Sequence, residues 1–111
     1  MNISTRQEEN ACVIEVDGVV NIASAPDLLQ SMKTHFGKGV GRAIVDLKGV
    51  DYMDSSGVGV LVTGLKQANA LNIPFGICGV AERVCSVLRL TRLDSLFKIF
   101  PDTETALQEL A

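Results

Sequence analysis

Short apolar runs that alternate with helix-spaced segments constrain this chain more than any other feature. Residues 42–47 (Arg-Ala-Ile-Val-Asp-Leu) and 74–78 (Pro-Phe-Gly-Ile-Cys) are mostly apolar and too short for a stable helix, the pattern of strands covered on both faces. Between them Val58, Leu61, Leu65 and Ala68 recur three and four apart, and Val84, Val87, Leu88 and Thr91 do so after the second run. A strand that feeds a helix and then another strand is a βαβ crossover, which implies parallel neighbours in one sheet.

The flanks extend this plan. Residues 3–7 and 11–16 surround the polar turn Glu8-Glu9-Asn10, and Cys12, Ile14 and Val16 share one face while Glu15 lies on the other, as in a hairpin at a sheet edge. Ser24-Ala25-Pro26-Asp27 reads as a helix start, with Ser24 as cap and Pro26 in the first turn. Leu28 or Leu29, Met32 and Phe36 continue that helix to a stop at Gly37, and Gly39 and Gly41 prolong the loop. The helix through Leu61 ends near Asn72, and residues 96–100 form a last strand closed by Pro101. Asp102 caps a final helix whose inner face is Ala106, Leu107 and Leu110. The expected fold is α/β in the order β-β-α-β-α-β-α-β-α: a mixed, mostly parallel sheet of about five strands with about four helices, largely on one face, in one domain over residues 1–111. Ile44, Val45, Leu47, Leu61, Leu65, Ile77, Val84 and Leu88 are the expected core.

Composition narrows the function classes. A chain of 111 residues with 47% hydrophobic and 21% charged side chains suits one globular core. The net charge of -3 provides no electrostatic footprint for nucleic acid, and Arg83, Arg89 and Arg92 read as a solvated helix face. Cys12, Cys78 and Cys85 lie in apolar segments without C-x-x-C spacing, which points to free thiols in a reducing compartment. Together with the single His35 they are too few and too dispersed for a zinc site. Residues 1–6 lack the apolar core of a secretion signal, and no apolar run approaches the ~20 residues that span a bilayer. The expectation is a cytoplasmic protein with no membrane insertion and no cofactor.

In open α/β sheets function gathers in loops beyond the carboxyl ends of the strands. Two candidates stand out, Asp17-Gly18-Val19-Val20-Asn21 and Asp51-Tyr52-Met53-Asp54-Ser55-Ser56-Gly57. The second runs straight into a helix, placing Ser55 at or near an N-terminus whose free amides and dipole favour a phosphate or another anion. Gly57 and Gly59 each lower helix propensity by roughly 1 kcal/mol relative to Ala, which suggests a close approach to the backbone. A plain helix cap at Asp54 or Ser55 accounts for the same residues equally well. Enzymatic alternatives lack parts. Asp17 stands alone where a phospho-acceptor aspartate would need an acidic pair for Mg²⁺, and Met53 occupies the first glycine position of a G-x-S-x-G elbow. No base accompanies the serines, and Gly57-Val58-Gly59 is not a phosphate loop. The chain does not read as an enzyme.

The stretch Asp46-Leu47-Lys48-Gly49-Val50-Asp51-Tyr52-Met53-Asp54-Ser55-Ser56-Gly57-Val58-Gly59-Val60-Leu61 resembles the signature of STAS domains, specifically of the bacterial anti-sigma-factor antagonists. Ser95-Leu96-Phe97-Lys98-Ile99-Phe100 is similar to the family's G-L-F-K-I segment, and Gly18 matches the glycine of its G-E-L-D loop. The resemblance spans essentially the whole chain and implies the same element order. It further implies that the unphosphorylated protein binds an anti-sigma factor that is also a serine kinase, freeing the sigma factor. Phosphorylation of Ser55 then dissolves the complex, and a PP2C-type phosphatase restores it. Asp54, Ser55, Ser56, Gly57, Asn21, Tyr52 and Met53 are the implied partner-binding set. For Tyr52 and Met53, packing beneath the loop is an equally good account. The chain departs from the family at Val19 and Asn21, where the loop has Glu and Asp. This departure leaves open an unphosphorylated STAS binding module, such as a stress-complex scaffold or the cytoplasmic subunit of a lipid transporter.

Overall fold

A computed structural model describes residues 1–37 and 39–110 as a five-stranded sheet with four α-helices. β1 (Asn2–Glu8) and β2 (Ala11–Val20) pair antiparallel. Only Glu9 and Asn10 lie between them, at φ 50° and 63°, the doubly left-handed backbone that matches a two-residue hairpin to strand twist. Then follow α1 (Ala25–His35), β3 (Arg42–Met53), α2 (Ser55–Ala70), β4 (Phe75–Cys78), α3 (Glu82–Leu90), a 3-10 turn (Asp94–Leu96), β5 (Lys98–Phe100) and α4 (Thr103–Glu109).

Strand order in space is the order in sequence, and β2 through β5 are parallel. Each crossover therefore steps one strand in the same direction. Crossovers of one hand stepping one way put α1, α2 and α3 on the same face. On that face Cys12, Ile14 and Val16 of β2 and Ala43, Val45 and Leu47 of β3 pack with Leu28, Met32, Leu61, Val84 and Leu88. The opposite face of the same strands presents Ala11, Val13, Ile44 and Cys78, which α4 covers with Ala106, Leu107 and Leu110. Period-two alternation thus serves two apolar layers, which is why residues 42–47 lack the polar face of a half-exposed strand. Fully burying a Leu, Ile or Val stabilises by roughly 1.5–3 kcal/mol, so the larger layer under α1–α3 dominates. Ile44, Val45, Leu47, Leu61, Ile77, Val84 and Leu88 are all fully buried, whereas Leu65 is only partly buried at the margin of that layer.

β2 and β3 run further than their apolar patterns indicate, to Val20 and Met53. Register shifts between Glu15 and Asp17 and between Gly18 and Val19 interrupt the alternation without ending the pairing. Such bulges re-aim side chains while backbone hydrogen bonding continues, so a reading by period stops early. The segments Asp17 to Val20 and Asp51 to Met53, expected as loops, are strand. At the other edge Leu96 lies in the 3-10 turn rather than in β5 and is half-exposed.

Candidate functional site

The extended ends of β2 and β3 meet where α1 and α2 begin. Val19 lies opposite Tyr52 and Val20 opposite Met53, and the Asp54 amide donates to the Val20 carbonyl at 3.1 Å. Asp54, in extended conformation, caps α2. Its Oδ1 accepts from the Ser56 amide at 2.9 Å and the Gly57 amide at 3.3 Å, and its carbonyl accepts from Val58. Ser55 is the first residue of the helix and is exposed, and Ser56 is half-buried. The cap therefore belongs to Asp54, which leaves the Ser55 hydroxyl without a capping task. Two amides expected to be open to an anion are already taken by this carboxylate.

Gly57 explains itself by packing. A Cβ there would lie 2.5 Å from Met53 Cγ and 2.9 Å from Val20 Cγ1, so the closely approaching group is the chain's own strand ends. Gly59 faces open space, with nothing within 4 Å of a built Cβ. Met53, expected as a partner contact, is 1% exposed and packs beneath Gly57, whereas Tyr52 on the alternate side is 46% exposed. Pleat alternation separates the two: one side chain faces the core and its neighbour faces solvent.

The loop after β2 is closed by its own side chains. Asn21 Oδ1 accepts from the amides of Ala23 (3.0 Å) and Ser24 (3.1 Å). Ser24 Oγ accepts from the Asn21 amide (2.9 Å) and donates to the Val19 carbonyl (2.8 Å). Ser24 thus ties the loop rather than capping α1, for which it makes no side-chain bond. Asn21, expected to face a partner, is half-buried and directs its carbonyl oxygen into this turn. The residue that projects instead is Ile22, 79% exposed, with Val19 beside the turn at 40%. Sequence reasoning missed Ile22. The available signal was an isoleucine just after a strand, inside a turn with no structural use for it.

Charge near the site is sparse. Asp51 and Asp54 flank Tyr52 and Met53, and Arg83 Nη1 donates to the Asp51 carbonyl at 3.4 Å. Among the described residues no group of three or more His, Cys, Asp or Glu could hold a metal ion. His35 ends α1, at the other end from Asn21, where its ring nitrogens contact the Ser31 carbonyl and Thr5 Oγ1. Cys12 and Cys78 are buried free thiols, and burial pushes Cys78 up to about 11. No described helix is long and apolar enough to cross a membrane.

Comparison with known proteins identifies the family and the fold. The STAS domain family model matches residues 2–106. The anti-sigma-B factor antagonist of Staphylococcus epidermidis is 30% identical over 104 residues, which cover 94% of this chain and 96% of that protein. The antagonist of the same name from Staphylococcus aureus is 29% identical over the same shares. Among solved structures, a Thermotoga maritima protein assigned as an anti-sigma factor antagonist superposes with a TM-score of 0.89 at 26% identity. That superposition covers 97% of this chain and 93% of the other.

Proposed function

The chain belongs to the STAS domain family, and on that premise we propose that it is an anti-sigma-factor antagonist switched by phosphorylation of Ser55. The relatives that match nearly its full length are named anti-sigma-B factor antagonists, regulators rather than catalysts. The observation that carries the switch is the position of Ser55: exposed, first in α2, and relieved of capping by Asp54. Its hydroxyl is free to enter a kinase active site without unwinding the helix.

In this reading the unphosphorylated surface around Ser55 docks on an anti-sigma factor that is also a serine kinase, and the sigma factor is released. The kinase transfers the γ-phosphoryl group of ATP to Ser55 Oγ: the new O–P bond forms, the hydroxyl proton leaves, and ADP departs. A PP2C-type phosphatase hydrolyses the ester with water, returning the hydroxyl and inorganic phosphate. The phosphoryl group brings nearly two negative charges and three acceptor oxygens. Beside Asp54 it finds like charge, and the Ser56 and Gly57 amides are already bound to that carboxylate. Desolvating such a group in an interface costs several kcal/mol, and ~1.4 kcal/mol already lowers affinity tenfold. No refolding is needed. The test is phosphopeptide mapping after incubation with an anti-sigma kinase and ATP. Phosphate on Ser55 is the expected result, and modification of Ser56 or of neither serine removes the switch.

A further inference from the structure

We infer that Ile22 is the anchor by which this protein selects its anti-sigma factor, inserting into an apolar pocket on that partner. This inference rests on the antagonist reading and names the chemistry of its interface. Three observations converge on Ile22. It is 79% exposed, the most exposed large apolar side chain near Ser55. An isoleucine so placed contributes nothing to the core.

Its loop is also rigid. Four hydrogen bonds of 2.8 to 3.1 Å join Asn21 and Ser24 to each other, to Ala23 and to the Val19 carbonyl. A side chain displayed on a braced turn loses little entropy on binding, which is how a small number of anchors come to dominate an interface. Asn21 is here a positioning residue: its oxygen shapes the turn that presents Ile22.

Finally, the turn that carries Ile22 is itself uncharged and is joined to the strand end beside Ser55. Residues 18–26 contain no Asp, Glu, Lys or Arg. Val19, 40% exposed, lies opposite Tyr52, 46% exposed, and the Asp54 amide bonds to Val20, so the loop abuts the start of α2. Val19 and Tyr52 form an apolar border that can exclude water around the anchor. A partner with a charged or polar pocket at this point would lose solvation without a compensating bond, so the same residue rejects mismatched anti-sigma factors.

The test is calorimetric titration of the full chain, wild type, Ile22→Ala and Ile22→Asp, against purified anti-sigma kinases without ATP. For a kinase that binds the wild type, Ile22→Ala should weaken binding at least ~10-fold and Ile22→Asp more, since truncating an anchor costs at least that much. Thermal unfolding of both variants should match wild type, because an exposed side chain has no packing to lose. Wild-type binding with an unaltered Ile22→Ala affinity overturns the anchor and leaves the antagonist reading standing. Failure of the wild type to bind any anti-sigma kinase overturns both.

Discussion

The amide of Asp54 donates to the carbonyl of Val20 at 3.1 Å, so the residue that caps α2 is fastened to the strand that leads into the Asn21 turn. Ser55, which follows Asp54, and Ile22, two residues beyond Val20, are thereby tied through the same backbone bond. Gly57 seals the joint, since its missing Cβ is the space that Met53 and Val20 occupy.

The first prediction sets two substitutions at Ser55 against each other. Ser55→Ala should retain binding to the anti-sigma kinase and resist inactivation by ATP, because the surface stays uncharged and no acceptor remains. Ser55→Asp should fold, an acid at a helix N-terminus being favourable, yet bind at least ~10-fold more weakly. Calorimetric titration after circular dichroism checks both. Equal affinities for the two variants would make Ser55 an ordinary first-turn residue and the domain a constitutive binding module.

The second concerns the cap. Asp54→Ala removes the acceptor of the Ser56 and Gly57 amides and should cost about 1 kcal/mol. In urea this appears as a lower midpoint with an unchanged slope. Asp54→Asn keeps an oxygen in place and should recover most of the loss. Ser55→Ala should cost less than Asp54→Ala, because Ser55 is not the cap. The reverse order would transfer the cap to the serine.

The third separates two glycines that look alike in sequence. Gly57→Ala gains roughly 1 kcal/mol of helix propensity but forces a Cβ against Met53 and Val20, an overpacking that costs typically 1–3 kcal/mol. Gly59→Ala meets nothing and keeps the gain. Thermal denaturation should show the first variant below wild type and the second above it. A stabilised Gly57→Ala protein would mean that the strand ends can move aside.

The fourth is a pH dependence. Burial of the Cys78 thiol raises its pKa to about 11 from an unfolded value of 9.0. A raised thiol pKa means that the folded state holds its proton more tightly than the unfolded one. Its contribution to stability is complete below pH 9 and declines as pH rises towards 11. Native protein should thus lose stability over that interval, and Cys78→Val should lose less. In alkylation near pH 8, half-buried Cys85 should react first, while Cys12 and Cys78 are protected until unfolding. Rapid labelling of Cys78 in native protein would contradict its burial.

Local sequence alone determined the element order, the parallel crossovers, and a serine at the head of a helix. These follow from interactions a few residues apart: apolar periods of two and of 3.6, and the punctuation of Gly, Pro and Asp. The strand at residues 42–47 was legible because burial on both faces leaves a mostly apolar run, unbroken from Ala43 to Val45. What tertiary structure decided lay where contacts cross the chain. The bulges that carry β2 to Val20 and β3 to Met53 depend on pairing between strands, which no single segment displays. The same pairing buries Met53 and exposes Tyr52, a choice that proximity in sequence left open. Asn21 turned inward to accept from the Ala23 and Ser24 amides, which left Ile22 displayed on the turn. Asp54 and Ser55 divided capping from exposure by one residue of helix geometry. The bond from the Asp54 amide to the Val20 carbonyl, a contact across strands, is one that no local pattern displays.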